Sequence, residues 1–236
     1  QLHRLVKTQN LVVLYGKSGL GKSSLLNAGL LPLVEREGEH TPIQVRFNAW
    51  TEDSTETPVV KMLHLLSPEG SRDTFLDSLI FHEPSLWHEL KEAQTDTRSP
   101  KQYLLVFDQF EELFTYPPDQ IAAFRDQLAE ALYTKIPPRY REVLEQQLES
   151  GTCRLSEADF DLLQQQPDVH IVLSIRSDRM HLMERLSDAL PDILSHCYEL
   201  HALSPEGAQK AIAAPAALRG DFRTAPFRFT PGALSD

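Results

Sequence analysis

The densest chemistry in the chain lies in Gly16-Lys17-Ser18-Gly19-Leu20-Gly21-Lys22-Ser23, which reads G-x-x-x-x-G-K-S. Glycines at this spacing let successive backbone N–H groups turn inward, and such a nest accepts an oxyanion such as phosphate. A helix starting at the end of the loop adds the partial positive charge of its N-terminus. In that geometry Gly16, Ser18, Gly19, Gly21 and Ser24 form the cradle, Lys22 reaches the β- and γ-phosphates, and the Ser23 hydroxyl holds Mg²⁺. A Gly/Ser/Lys-rich stretch can also be a plain solvated turn. The context favours the loop: the apolar run Leu11-Val12-Val13-Leu14 precedes it and Ser24–Leu31 follows with helical character, as a strand–loop–helix unit requires.

A second centre follows the apolar run Tyr103–Phe107, which ends in Asp108-Gln109-Phe110-Glu111-Glu112-Leu113-Phe114. A buried strand ending in an acid suits a carboxylate that holds Mg²⁺ beside a phosphate loop, and this is the role expected of Asp108. Glu111 or Glu112 could orient or deprotonate an attacking water. Both could equally be acids that suit a helix start. The third centre is Arg176, at the end of Val169–Ile175. A cation at the carboxyl end of a strand lies where open α/β sheets bind ligands, and there it can sense a γ-phosphate. Pairing with a nearby carboxylate is the plainer alternative.

The elements that must position these groups are strands separated by helical crossovers. Leu11–Tyr15 and Tyr103–Phe107 are continuous apolar runs, as expected of strands covered on both faces of a parallel sheet. Ile43-Gln44-Val45-Arg46-Phe47 alternates, which places it toward the sheet edge. Val169–Ile175 and a short Cys197–Leu200 complete five strands, with the phosphate-loop strand expected at the centre and those ending at Phe107 and Ile175 beside it. A weak helical pattern covers residues 1–10, and the helix after the loop should stop near Pro32. Helical spacing recurs over Val59–Leu66, Ser71–Gln94 and Met180–Leu190. From Pro117 to Gln166 the chain reads as helical, broken at Pro137-Pro138, with Ser156 and Asp159 as a capping box and an extra helical hairpin expected against the sheet. Ser204-Pro205-Glu206 starts another helix that should stop near Pro215.

With 236 residues, 41% of them hydrophobic, the chain can bury a full core, and its net charge of −11 argues against a general nucleic-acid surface. Cys153 and Cys197 stand far apart without a partner motif, which suits a reducing, cytoplasmic compartment. No apolar stretch approaches a membrane span. The nine histidines and the cysteines show no metal-ligand spacing, so no protein-held transition metal is expected. The chain begins at Gln1 and stops in mid-pattern, as a piece of a longer protein would.

Gly16–Ser23, the run Phe107–Phe114, the run Ser174–Arg179, and Leu203–Glu206 with Ala211-Ile212-Ala213-Ala214-Pro215 together resemble the STAND class of signalling NTPases. The likeness is strongest to the novel STAND subgroup of bacterial multidomain proteins, related to the NACHT and apoptotic-ATPase groups. The resemblance implies a P-loop NTPase three-layer α/β sandwich with a mainly parallel five-stranded sheet over residues 1–202. Residues 203–236 would then begin a helical lid and winged-helix region, its first trace at Phe229–Leu234. It implies ATP/ADP and Mg²⁺ as ligands, Lys22 on phosphate, Ser23 and Asp108 on Mg²⁺, Glu111 or Glu112 as catalytic acid, and Arg176 as sensor. Pro215 would pack on adenine, although Ala213 stands where the family's Gly-x-Pro motif has glycine. The implied activity is slow ATP hydrolysis that controls homo-oligomerisation and an effector, under a sensor domain, in a defence or signalling protein.

A motor or transport ATPase is the alternative, though no ABC signature is present. A pure scaffold would have no use for Glu111 and Glu112.

Overall fold

In the computed structural model, which describes residues 1–66, 74–76, 85–97, 101–217 and 226–227, the apolar run before the loop forms β1 (Leu11–Gly16), buried except at Tyr15. The other strands are β2 (Thr41–Arg46), β3 (Tyr103–Asp108), β4 (Val169–Arg176) and β5 (Cys197–Glu199). All pair in parallel, in the order β2-β3-β4-β1-β5. The alternating strand β2 is at an edge, as its pattern implies. The middle position belongs to β4, not to β1, which lies between β4 and β5. Strands β1, β3 and β4 are each buried along almost their whole length, so coverage of both faces could not rank them. Parallel pairing sends all carboxyl ends to one rim, and Gly16, Arg46, Asp108 and Arg176 meet there.

Each apolar strand feeds two cores, because successive side chains point to opposite faces. On one face Val13, Leu105, Phe107, Ile171 and Leu173 pack with α4 (Pro58–Leu66), α5 (Leu86–Thr95) and α6 (Pro118–Tyr133). On the other, Val12, Leu14, Leu104, Val106 and Val172 meet Leu2 and Val6 of α1 (Leu2–Thr8) and the helical segment after the loop. In α6, Ile121, Phe124, Leu128 and Leu132 make the buried stripe, and truncating Phe124 to alanine should cost about 3–5 kcal/mol.

Three expectations change. The helix after the loop does not end near Pro32. A first turn, α2 (Lys22–Leu25), leads through a π-helical turn (Leu26–Leu30) into α3 (Leu31–Glu37). Leu30 and Leu31 keep helical backbone, and the π-helical turn just before Pro32 carries the helix past a residue that lacks an N–H. Over Met180–Leu190 the chain instead forms a 3₁₀ run, Ser177–Leu186. Met180, Met183 and Leu186 recur every three residues, the spacing at which 3₁₀ side chains eclipse, and Met183 and Leu186 are fully buried. Finally, the extra helices α7 (Pro138–Glu149) and α8 (Glu157–Gln164) do not pack on the sheet. Tyr140, Leu144 and Leu163 form a satellite core around Trp87 of α5. The capping box does form: Ser156 Oγ accepts the Asp159 N–H at 3.2 Å, and Asp159 accepts the Ser156 N–H at 2.9 Å.

The chain divides into two compact units, residues 1–200 and 201–236. In the second, α9 (Pro205–Ala217) is capped by Ser204 Oγ, which accepts the Gly207 N–H at 3.1 Å, and it runs two residues past Pro215. The Phe227 N–H bonds the Ala216 carbonyl at 2.8 Å. The winged-helix start expected at Phe229–Leu234 lies outside the described residues, as does most of Ser71–Pro84. No described helix is long and apolar enough to cross a membrane.

Candidate nucleotide site

Strand β1 delivers the loop, and close packing decides its first residue. A Cβ on Gly16 would stand 2.7 Å from the Leu200 carbonyl oxygen, so only glycine fits beside the chain leaving β5. The Leu200 N–H in turn donates to the Tyr15 carbonyl at 2.7 Å. Gly19 and Gly21 take left-handed backbone, φ 81° and 90°, and α2 begins directly after them. Lys22 Nζ donates to the carbonyls of Gly16 (2.9 Å) and Lys17 (3.3 Å), holding its ammonium at the mouth of the loop.

Asp108, at the end of β3, is 1% exposed. Its Oδ1 accepts from Ser23 Oγ at 3.0 Å and from the Gln109 N–H at 3.1 Å. Its Oδ2 accepts from Arg46 through Nε (3.0 Å) and Nη2, and from Gln44 Nε2 at 3.4 Å. Arg46 faces Asp108 in register across the β2–β3 pair. Sequence reasoning missed Arg46 and Gln44 as site residues. The signal was the polar set of the alternating strand, which ends at the same rim as the acid.

The acids owe their position to an apolar anchor. Gln109, at φ 58°, turns the chain out of β3 into a 3₁₀ turn, Phe110–Thr115. Phe110 and Leu113 are fully buried, and the Phe110 ring centroid lies 6.0 Å from that of Phe107 and 6.2 Å from that of Phe124. Glu111 and Glu112, between the two anchors, line the cleft over the loop. The Glu111 Oε2 atom is buried and has no hydrogen-bond partner among the described residues.

Arg176, ending β4, reaches the same cleft. Its guanidinium is also held by Asp178, Nε to Oδ1 at 3.1 Å and Nη2 to Oδ2 at 2.9 Å, so the cleft position and the carboxylate pairing are both realised. Partial desolvation pushes the Asp178 carboxyl up, but bonding to Arg176 and its charge outweigh this and hold the group below the ordinary carboxylate range.

A cleft of about 350 Å³ thus joins Ser18, Gly19, Gly21, Lys22, Ser23 and Ser24 to Asp108, Glu111, Glu112 and Arg176. Gly16 contributes its carbonyl to Lys22, and Pro215 lies in α9 of the second unit. The donor set fits a magnesium nucleotide. Two hard oxygen donors, Ser23 Oγ and the Asp108 carboxylate, lie side by side, an ammonium and a guanidinium suit phosphate, and one buried carboxylate oxygen lacks a partner.

A phosphate loop after β1, an acid ending β3 and the strand order β2-β3-β4-β1-β5 define the fold of a P-loop ATPase. Within that class, the chain belongs to the novel STAND NTPase 1 family, whose model matches residues 1–224. No curated protein matches it by sequence. Among solved structures it is similar to a Walker-type ATPase of Pyrococcus abyssi, with TM-score 0.50 and 15% identity over 89% of this chain and 53% of that one. It is also similar to the ORC1 protein of Aeropyrum pernix in complex with DNA, with TM-score 0.46 and 15% identity over 87% of this chain and 44% of that one. The chain spans about half the length of these structures, and at such identity the Pyrococcus abyssi ATPase speaks for the fold alone.

Proposed function

We propose that this chain is the ATP-binding switch of a larger STAND protein: it binds ATP with Mg²⁺, hydrolyses it slowly, and through the bound nucleotide controls homo-oligomerisation and an effector. The single observation carrying this reading is the shared carboxylate of Asp108. Ser23 of the phosphate loop and Arg46 of the edge strand both bond it, and Glu111, whose buried Oε2 has no hydrogen-bond partner among the described residues, lines the same cleft.

Lys22 and the loop amides hold the phosphates, while Ser23 and Asp108 hold Mg²⁺, which screens phosphate charge. Glu111 accepts a proton from the attacking water, a role that its buried, unbonded oxygen supports better than anything on Glu112. Arg176 exchanges Asp178 for the terminal phosphate, and that exchange is where nucleotide state would be sensed. Pro215 contacts the adenine, residues 203–236 begin the lid and winged-helix region, and the setting is a cytoplasmic signalling or defence protein of bacterial type.

The test is mass in solution by light scattering on the full-length protein, with ADP and with a slowly hydrolysed ATP analogue. A larger particle with the analogue supports the switch. Equal mass in both states, alongside brisk steady turnover, points instead to a motor or transport ATPase.

A further inference from the structure

The amino ends of the parallel strands form the rim opposite the nucleotide cleft, and there three residues far apart in sequence converge. His40 immediately precedes β2, Asp168 immediately precedes β4, and His170 is the second residue of β4. Strands of six to eight residues separate the two rims by about 20 Å.

His40 Nε2 and His170 Nε2 each lie 3.7 Å from Asp168 Oδ1. One ligand atom from each of the three residues falls within 4.8 Å of the others, and the imidazole rings meet edge to face with centroids 4.7 Å apart. These contacts are too long for hydrogen bonds, and the buried His40 Nε2 has no hydrogen-bond partner among the described residues. His170 is oriented from behind. Its Nδ1 lies 3.0 Å from the Gln9 carbonyl, which can only accept, so Nδ1 carries a proton and Nε2 is the nitrogen turned toward Asp168. A backbone carbonyl fixing the tautomer of an imidazole whose other nitrogen faces a carboxylate is the arrangement that surrounds metal-bound histidines.

We propose that His40, Asp168 and His170 form a divalent transition-metal site, with zinc as the ion the donor set suits best. Two imidazoles and one carboxylate are a common three-ligand zinc set, and a water completes the tetrahedron. Tetrahedral bonds of about 2.1 Å separate ligand atoms by about 3.4 Å, so the two 3.7 Å edges to Asp168 close slightly, and the edge between the histidines, within 4.8 Å, closes by no more than about 1.4 Å. Asp168 is 42% exposed and leaves the ion a path from solvent. The cation Lys7 nearby is bonded to Glu37 and Glu39.

The ion's role is to tie the edge strand to the middle of the sheet. Among the described strands β2 pairs only with β3, so a metal held by His40 and by Asp168 and His170 bridges over β3 and joins β2 to β4 directly. The expectation of no transition metal rested on sequence spacing, and the fold supplies the proximity that spacing lacked.

The test is zinc and cobalt titration of metal-stripped 236-residue protein in millimolar Mg²⁺ and without nucleotide, so that the oxygen-ligand site at the other rim is saturated. We expect one equivalent of Zn²⁺ per chain and a rise in Tm of about 5–10 °C at a hundredfold excess over Kd. Bound Co²⁺ should give the visible bands of a tetrahedral site. His40→Gln should weaken zinc binding on the order of 100-fold and abolish both signals. The exposed Asp168→Asn is a second variant that keeps the fold, checked by its circular dichroism. Absence of binding, or binding unchanged in both variants, overturns the proposal, and neither result bears on the nucleotide site.

Discussion

Arg46 and Asp108 stand opposite one another on the edge strand and its neighbour, and Arg46 Nε donates to Asp108 Oδ2 at 3.0 Å while Ser23 holds the other oxygen at 3.0 Å. One arm of the carboxylate thus belongs to the phosphate loop and the other to a guanidinium that is itself half exposed. The buried acid is charge-compensated before any cation arrives. A divalent ion at Ser23 and Asp108 would share that negative charge with Arg46.

Arg46→Ala should therefore destabilise the protein by about 1–3 kcal/mol in the absence of Mg²⁺, the cost of leaving a buried carboxylate underbonded. Adding Mg²⁺ should recover more stability in the variant than in the parent, because the ion then supplies the only full positive charge on Asp108. Denaturant melts with and without Mg²⁺ measure this; equal increments in both proteins would refute it.

Glu111→Gln should leave ATP affinity within a few-fold and lower hydrolysis by about 10²–10⁴, since the amide keeps size and hydrogen bonding but cannot take the proton. Glu112→Gln should cost much less. In the full-length protein the Glu111 variant should be activated more readily, limited by its differential affinity for ATP over ADP. Single-turnover hydrolysis separates the two acids, and a larger loss in the Glu112 variant would reverse the assignment.

Lys22→Ala should abolish the nucleotide-dependent rise in Tm while leaving the far-UV spectrum unchanged. The side chain bonds only to loop carbonyls and takes no part in either core. Unchanged ATP affinity in this variant would remove the phosphate-loop reading.

Lys91, in α5, is fully buried, and desolvation pushes its pKa down to about 8, while its ammonium donates to the Gln165 carbonyl at 2.5 Å. The folded pKa lies below the ordinary 10.5, so between pH 8 and 10.5 the unfolded chain binds the extra proton and stability from this group rises with pH. Below pH 8 the full penalty is present. Lys91→Met should stabilise the protein by about 1–2 kcal/mol at pH 7, the desolvation relief less the lost bond. The gain should shrink toward pH 10, as urea melts at both pH values would show.

The fold was legible where one local rule applied alone. Leu11–Leu14 and Tyr103–Phe107 read as buried strands because both faces are covered. Gln44 and Arg46 marked an edge because one face is not. The clustering of Lys22, Ser23, Asp108, Glu111 and Arg176 followed from parallel pairing once the strand ends were known. Contacts that the topology alone creates could not be read. Arg46 meets Asp108 through register, His40 meets His170 across β3, and α7 finds Trp87 instead of the sheet. Pro32 misled because a π-turn carries the helix past it, and Met180–Leu186 because the three-residue spacing of 3₁₀ structure overlaps that of an α-helix.

The contact between Gly16 and Leu200 has a mechanical consequence. The first residue of the phosphate loop touches the last residue of the first unit, and the Leu200 amide is bonded to Tyr15, one residue before the loop. The chain thus leaves β5 beside the base of the loop. A side chain at the loop's first residue would press on this carbonyl, which lies 2.7 Å from where its Cβ would stand. Adding a methyl group at Gly16 would therefore force the Leu200 carbonyl, and with it the chain leaving β5, to move aside from the base of the loop.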